Sequence, residues 1–211
     1  MDRSRLKAAL AFIERETHLR TKSYRMLSDG IQGEFLQAFS MMARPAAVLE
    51  IGTFTGYATL CLSRGLRRGG HIDTIEIDDE MTDIFLRAFS IAGTGDSVRS
   101  HIGDALKIIP GLDGPYDIVY IDADKREYNR YYDLIFDKVR PGGYILADNV
   151  LWNGKTTMDT PPHDRQTASI MEFNSRTASD PRVESLILPV RDGLAVIRKK
   201  TGTERLPSQA P

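Results

Sequence analysis

The sequence predicts an α/β protein with a seven-stranded, mostly parallel sheet, helices on both faces and an antiparallel hairpin at the C-terminal end. Two observations carry this. From Ala47 onward, short apolar runs alternate with amphipathic segments, the rhythm of βαβ units. The last two runs are separated only by residues 189–193 (PVRDG), too short for a helical crossover, so they pair antiparallel.

The elements follow in order. Leu6, Ala9, Leu10 and Ile13 give residues 4–16 helical spacing. A second helix over 30–43 places Ile31, Phe35, Leu36, Phe39 and Met42 on one face, and Pro45 ends it. Strands are expected at 47–51, 71–77, 97–102, 116–121, 144–147, 183–188 and 194–198. Helices over 56–68, 79–92, 126–139 and 164–179 lie between most of them. Residues 150–163 form a polar loop containing glycine and proline, suited to covering a ligand or to a passive connection. Residues 201–211 lack apolar periodicity and read as a loose tail. One domain over 1–200 is expected, led by a helical segment, 1–43.

Composition narrows the function. Apolar residues at 41% and charged residues at 27% are ordinary for a soluble globular protein. A net charge of −1 gives no electrostatic reason to expect nucleic acid or an anionic membrane, though a structured RNA could still meet a local basic patch. No run approaches the roughly 20 apolar residues of a membrane span. Charges throughout the first 20 residues leave no secretory apolar region. The single cysteine, Cys61, rules out an internal disulfide and fits a reducing, cytoplasmic compartment. It falls in an apolar helical pattern, which favours packing over reactivity.

The most specific chemistry lies in IDADK at 121–125 and ADN at 147–149, each just past a strand. Consecutive strands of such a sheet are usually neighbours. Asp122, Asp148 and Asn149 therefore converge at one edge, and two carboxylates with an amide oxygen make a site for a hard cation. Mg²⁺ is the first expectation, with Mn²⁺ or Ca²⁺ as alternatives. Lys125 is within reach of whatever the cation holds. Close to a dication and partly desolvated, it is expected to have a depressed pKa and to act as a base; the alternative is a structural ion pair with Asp122 or Asp124. Asp124 reads either as an outer support of the site or as a helix N-cap. Trp152 either packs against an acceptor ring, closes the loop, or packs plainly. The histidines, His18, His71, His101 and His163, form no ligand-like spacing, and none is assigned to metal.

At the first strand's end, VLEIGTFTGYAT (48–59) spaces Gly52 and Gly56 four apart. This is not the dinucleotide pattern GxGxxG, and Glu50 precedes it. A carboxylate there suits a cationic ligand, such as the amino acid end or sulfonium of S-adenosylmethionine; tight packing is the alternative reading of the glycine pair. Glu76, ending the second strand, is placed to accept two hydrogen bonds from a ribose diol, or is a solvated strand-end carboxylate. Gly103-Asp104-Ala105 follows the third strand, where an adenine would lie.

Together, IDADKREYNRYY, ADNVLWNGK and these strand ends resemble the cation-dependent O-methyltransferases of the catechol and caffeoyl-CoA group, whose fold is Rossmann-like. The resemblance runs from about Met26 to Lys199. It implies Asp122, Asp148 and Asn149 as metal ligands and Lys125 as catalytic base. It implies Glu50, Gly52, Thr53 and Phe54 along the cofactor's methionine side, Glu76 on the ribose and Asp104-Ala105 at the adenine. Ser28 and Asp122 are further cofactor contacts, and Asp124, Trp152 and Asn153 lie near the acceptor. Ala58 stands where the family often has a serine that bonds the cofactor carboxylate; Thr59 or a backbone N–H could substitute. A homodimer is implied as well.

The expected reaction is metal-dependent methylation of a hydroxyl on a catechol-like small molecule or caffeoyl-type thioester. The alternative keeps the chemistry on a hydroxylated tRNA base. A nicotinamide oxidoreductase is disfavoured by the missing GxGxxG, and a non-catalytic binding protein by the intact Lys125 and three ligands.

Overall fold

The computed structural model describes residues 2–28, 30–158 and 164–202. Its elements are α1 (Arg3–Arg20), α2 (Gly30–Ala43), β1 (Ala47–Ile51), α3 (Tyr57–Ser63), β2 (His71–Glu76), α4 (Thr82–Ala92), β3 (Val98–Ile102) and α5 (Ala105–Ile108). They continue with β4 (Tyr116–Ile121), α6 (Tyr128–Phe136), β5 (Val139–Asp148), α7 (Arg165–Ser179), β6 (Val183–Leu188) and β7 (Leu194–Lys199). The sheet has seven strands in the order β3-β2-β1-β4-β5-β7-β6. β1, β2 and β3 pair parallel, as do β4 and β5; β7 is antiparallel to β5 and to β6. The C-terminal hairpin is thus as the short turn requires. Most of the expected tail, from residue 203 onward, lies outside the described residues.

The chain forms two compact units, Met1–Leu112 and Asp113–Pro211. In the first, β1 is buried along its whole length, which explains its unbroken apolar run with Glu50 as the exception. α1 extends to Arg20, four residues past its expected end, and buries Leu6, Ala9, Ile13 and Thr17. α2 has its expected bounds but turns differently. Its buried residues are Gln32, Gly33, Leu36 and Ser40, while Ile31 is 64% and Met42 75% exposed. Small residues decide this. A Cβ on Gly33 would lie 2.7 Å from the Tyr57 ring, and Ser40 Oγ donates to the carbonyl of Leu62. The backbones of α2 and α3 therefore approach more closely than a Phe or Met face allows. Cys61 is buried, and burial pushes its thiol up to about 12, so the packing reading holds.

In the second unit, β5 begins at Val139, five residues before the expected start. Pro141-Gly142-Gly143 reads as a turn in sequence, yet a register shift between Tyr116 and Ile118 on β4 absorbs it. From there Ile118 pairs with Tyr144 and Ile121 with Ala147. That register sets Asp122 and Asp148 at equivalent positions where the two strands end.

Candidate active site

In the first unit, Glu50 is fully buried on β1. Register places it beside Thr74 of β2. Its Oε2 accepts the Thr74 hydroxyl at 2.5 Å and also the hydroxyl of Thr59. The Thr53 and Thr74 hydroxyl oxygens are 2.6 Å apart. A carboxylate fixed this firmly keeps its orientation without help from a ligand.

The loop after β1 then turns sharply. Gly52 (φ 101°), Phe54 (φ 49°) and Gly56 (φ 88°) take left-handed backbone, and the amides of Gly52 and Thr53 both donate to Ile75 O, at 2.9 and 3.1 Å. This conformation aims the Phe54 N–H at Glu76 Oε2, 2.5 Å away, while Asp78 N donates to Glu76 Oε1 at 2.9 Å. Glu76 is buried and held at both oxygens. The two glycines do different work. Gly52 serves the turn, whereas a Cβ on Gly56 would lie 2.8 Å from the Phe89 ring and 2.9 Å from Phe85. Thr55 ties the loop to α1 through a 3.0 Å hydroxyl contact with Thr17. Asp104 caps α5 by accepting Leu106 N at 2.9 Å, with Ala105 buried behind it. Ser28 is buried ahead of α2.

In the second unit, Lys125 is buried in a 3-10 turn just past β4. Its Nζ donates to Asp122 Oδ1 at 2.9 Å and to Tyr128 Oη at 2.7 Å. Tyr128 Oη in turn donates to the carbonyl of Asp148 at 2.9 Å. Asp148 is buried; its Oδ1 accepts Asn149 N at 2.8 Å. Burial, the largest single influence on Lys125, pulls its pKa down. The surrounding Asp122, Tyr128 and Asp148 together outweigh that and hold the ammonium above the usual lysine range. The ion pair with Asp122 that the sequence offered as the alternative is formed. Asp124 realises the cap alternative: it accepts Arg126 N at 3.0 Å and pairs with the Arg126 guanidinium, which lowers its pKa.

Among the described residues, no three His, Cys, Asp or Glu side chains gather in a metal-holding group. The candidate set is two carboxylates and one amide. All are hard oxygen donors on adjoining strand ends, a set whose chemistry fits Mg²⁺, Mn²⁺ or Ca²⁺.

A family model described as O-methyltransferase matches residues 3–200. The chain belongs to that O-methyltransferase family. Among curated relatives, caffeoyl-CoA O-methyltransferase 1 of Eucalyptus globulus is 32% identical over 184 residues, covering 82% of this chain and 75% of its own. Among solved structures, the SAH-bound methyltransferase PaMTH1 of Podospora anserina aligns with a TM-score of 0.83 at 30% identity, covering 92% of this chain and 88% of its own. The O-methyltransferase of Bacillus cereus in complex with SAH gives 0.82 at 29%, covering 95% and 92%. This O-methyltransferase is an enzyme of the S-adenosylmethionine-dependent kind, on a Rossmann-like fold. A tRNA substrate gains no support from these relatives.

Several features of the O-methyltransferase escape its sequence pattern. The Thr59 hydroxyl donates to Glu50. Tyr128 is the partner of Lys125; the signal was present, since residues three apart share one face of a turn. Thr74 was detectable only through strand register. His71 and His101, separated by 30 positions, both reach Asp73, at 3.3 and 2.9 Å. His18 bonds Glu14 O at 2.8 Å, and His163 lies outside the described residues.

Proposed function

We propose that this enzyme methylates one hydroxyl of a catechol-like small molecule, or of a caffeoyl-type thioester, with a divalent cation held by Asp122, Asp148 and Asn149. The observation that carries the reading is the set of oxygen donors at the ends of β4 and β5 with the buried Lys125 bonded into it. Bound there, a dication supplies Lewis acidity that lowers a phenol's pKa of about 10 and fixes its orientation. S-adenosylmethionine supplies the electrophilic methyl.

The protein's own residues do the rest. Glu50, locked by Thr59 and Thr74, faces the cofactor's cationic part. Glu76, held by two backbone amides, accepts from the ribose hydroxyls. Gly52, Thr53, Phe54, Ser28, Asp104 and Ala105 border the cofactor. Asp122 holds Lys125, and Lys125 is the group that moves the acceptor's proton. Trp152 and Asn153 meet the acceptor, with Asp124 at its margin. Residues 1–200 act as one methyltransferase domain, in the cytoplasm and as a homodimer. Among the described residues, no helix is long and apolar enough to cross a membrane.

A methylation screen tests this. Catechols, caffeoyl thioesters and tRNA are each offered with S-adenosylmethionine and Mg²⁺, Mn²⁺ or Ca²⁺. Methylated diphenol is the expected product. Methylation of tRNA alone, with all diphenols inert, would overturn the substrate class.

A further inference from the structure

The segment after β5 is clamped to the β6–β7 turn by bonds that the proposed chemistry leaves unused. Val150 N donates to Gly193 O at 3.0 Å and Leu151 N to Asp192 O at 2.9 Å. Asn153 N donates to the Asp192 carboxylate at 2.6 Å. Within this stretch Asn149 (φ 57°), Trp152 (φ 50°) and Asn153 (φ 55°) take left-handed backbone. Asparagine tolerates this region, but for Trp152 it is strained and persists only where neighbours hold it. Gly193 (φ 85°) completes the fit, because a Cβ there would collide with Leu151. The indole Nε1 of Trp152 is buried and has no hydrogen-bond partner among the described residues, although a buried donor normally has one.

We propose that Asp192 is a positioning residue for the methyl acceptor. Its carboxylate pins the Asn153 amide, holds the Trp152–Asn153 corner in its left-handed form, and so keeps the indole N–H directed at an acceptor oxygen. This rests on the reading of Trp152 and Asn153 as acceptor-side residues. A hydrogen-bond acceptor is what position 192 has to supply; negative charge as such is not required.

Trp152 is the one tryptophan in the sequence, so its fluorescence reports this corner without relying on turnover. In Asp192→Ala the emission is expected to shift to the red and iodide quenching to increase. The KM for catechol rises about fivefold, the effect of one lost hydrogen bond, while kcat and SAH affinity stay within about twofold. Asp192→Asn keeps an oxygen in place and is expected to restore both fluorescence and KM. Unchanged fluorescence in Asp192→Ala would show that no clamp exists. Altered fluorescence with an unmoved catechol KM would overturn the acceptor role while sparing the proposed reaction. A wild-type enzyme inert toward every diphenol would instead sink the reaction and the acceptor role with it, and the fluorescence would still decide whether the clamp is real.

Discussion

Asp148→Ala is expected to lower kcat/KM for the acceptor by roughly 10³-fold, while SAH affinity changes by less than about threefold. Asp148 contributes one of two carboxylates to the proposed ligand set, so its loss removes half of the negative charge available to a dication. It also removes the oxygen that accepts Asn149 N at 2.8 Å, which frees the third ligand from its left-handed backbone. Asp148→Asn separates the two effects. The amide keeps the shape and an acceptor for Asn149 N–H but lacks the charge. A loss of at least about 100-fold in this variant assigns the effect to charge. Steady-state kinetics beside calorimetric SAH binding checks both variants. The reverse pattern, weak SAH binding with intact acceptor turnover, would mean that Asp148 belongs to the cofactor's side.

Lys125→Met should lower kcat by about 10²- to 10⁴-fold, the range for a lost proton-transfer group. The sign of the pH dependence follows from geometry. Asp122, Tyr128 and Asp148 hold Lys125 protonated, and only its neutral form can accept a proton. If Lys125 is the base, the competent fraction grows about tenfold per pH unit below its pKa. The wild-type rate then climbs as pH rises, and Lys125→Met flattens the climb. Methionine fills similar volume without charge, so thermal melting distinguishes lost chemistry from lost fold. An unchanged rate with lowered stability would reduce Lys125 to the ion pair with Asp122.

Much of the fold was legible because its signals are local. β1, β4 and β6 match their expected bounds: β1 and β4 are mostly apolar and buried, and β6 is closed by the short turn to β7. The β6–β7 hairpin followed from a five-residue connection. What was hidden depends on close approach or on pairing. The apolar stripe of α2 suggested a core face, but Gly33 and Ser40 set which face packs. The early start of β5 was masked by Pro141-Gly142-Gly143, whose turn chemistry is overridden by pairing with β4. Helix α3 stops at Ser63, five residues short; beyond it the backbone at Gly65 lies against Ser40 and leaves no room for a side chain.

The site divides the same way. Asp122, Lys125, Asp148 and Asn149 stood out as polar residues directly after strands. Their placement on neighbouring strand ends follows from one register, Ile121 against Ala147. Tyr128, Thr74 and Asp192 did not stand out, because each acts by holding another residue. The raised pKa of Lys125 could not be read from spacing either. It depends on how many acceptors surround the ammonium, and that number is set by tertiary packing.

The central claim is that Asp122, Asp148 and Asn149 hold a dication needed for hydroxyl methylation. The most direct measurement is catechol methylation by protein stripped with EDTA and then titrated with Mg²⁺. Activity is expected to vanish in chelator and to return with added metal in the wild type, but not in Asp148→Ala. Full turnover with the metal removed would contradict the claim.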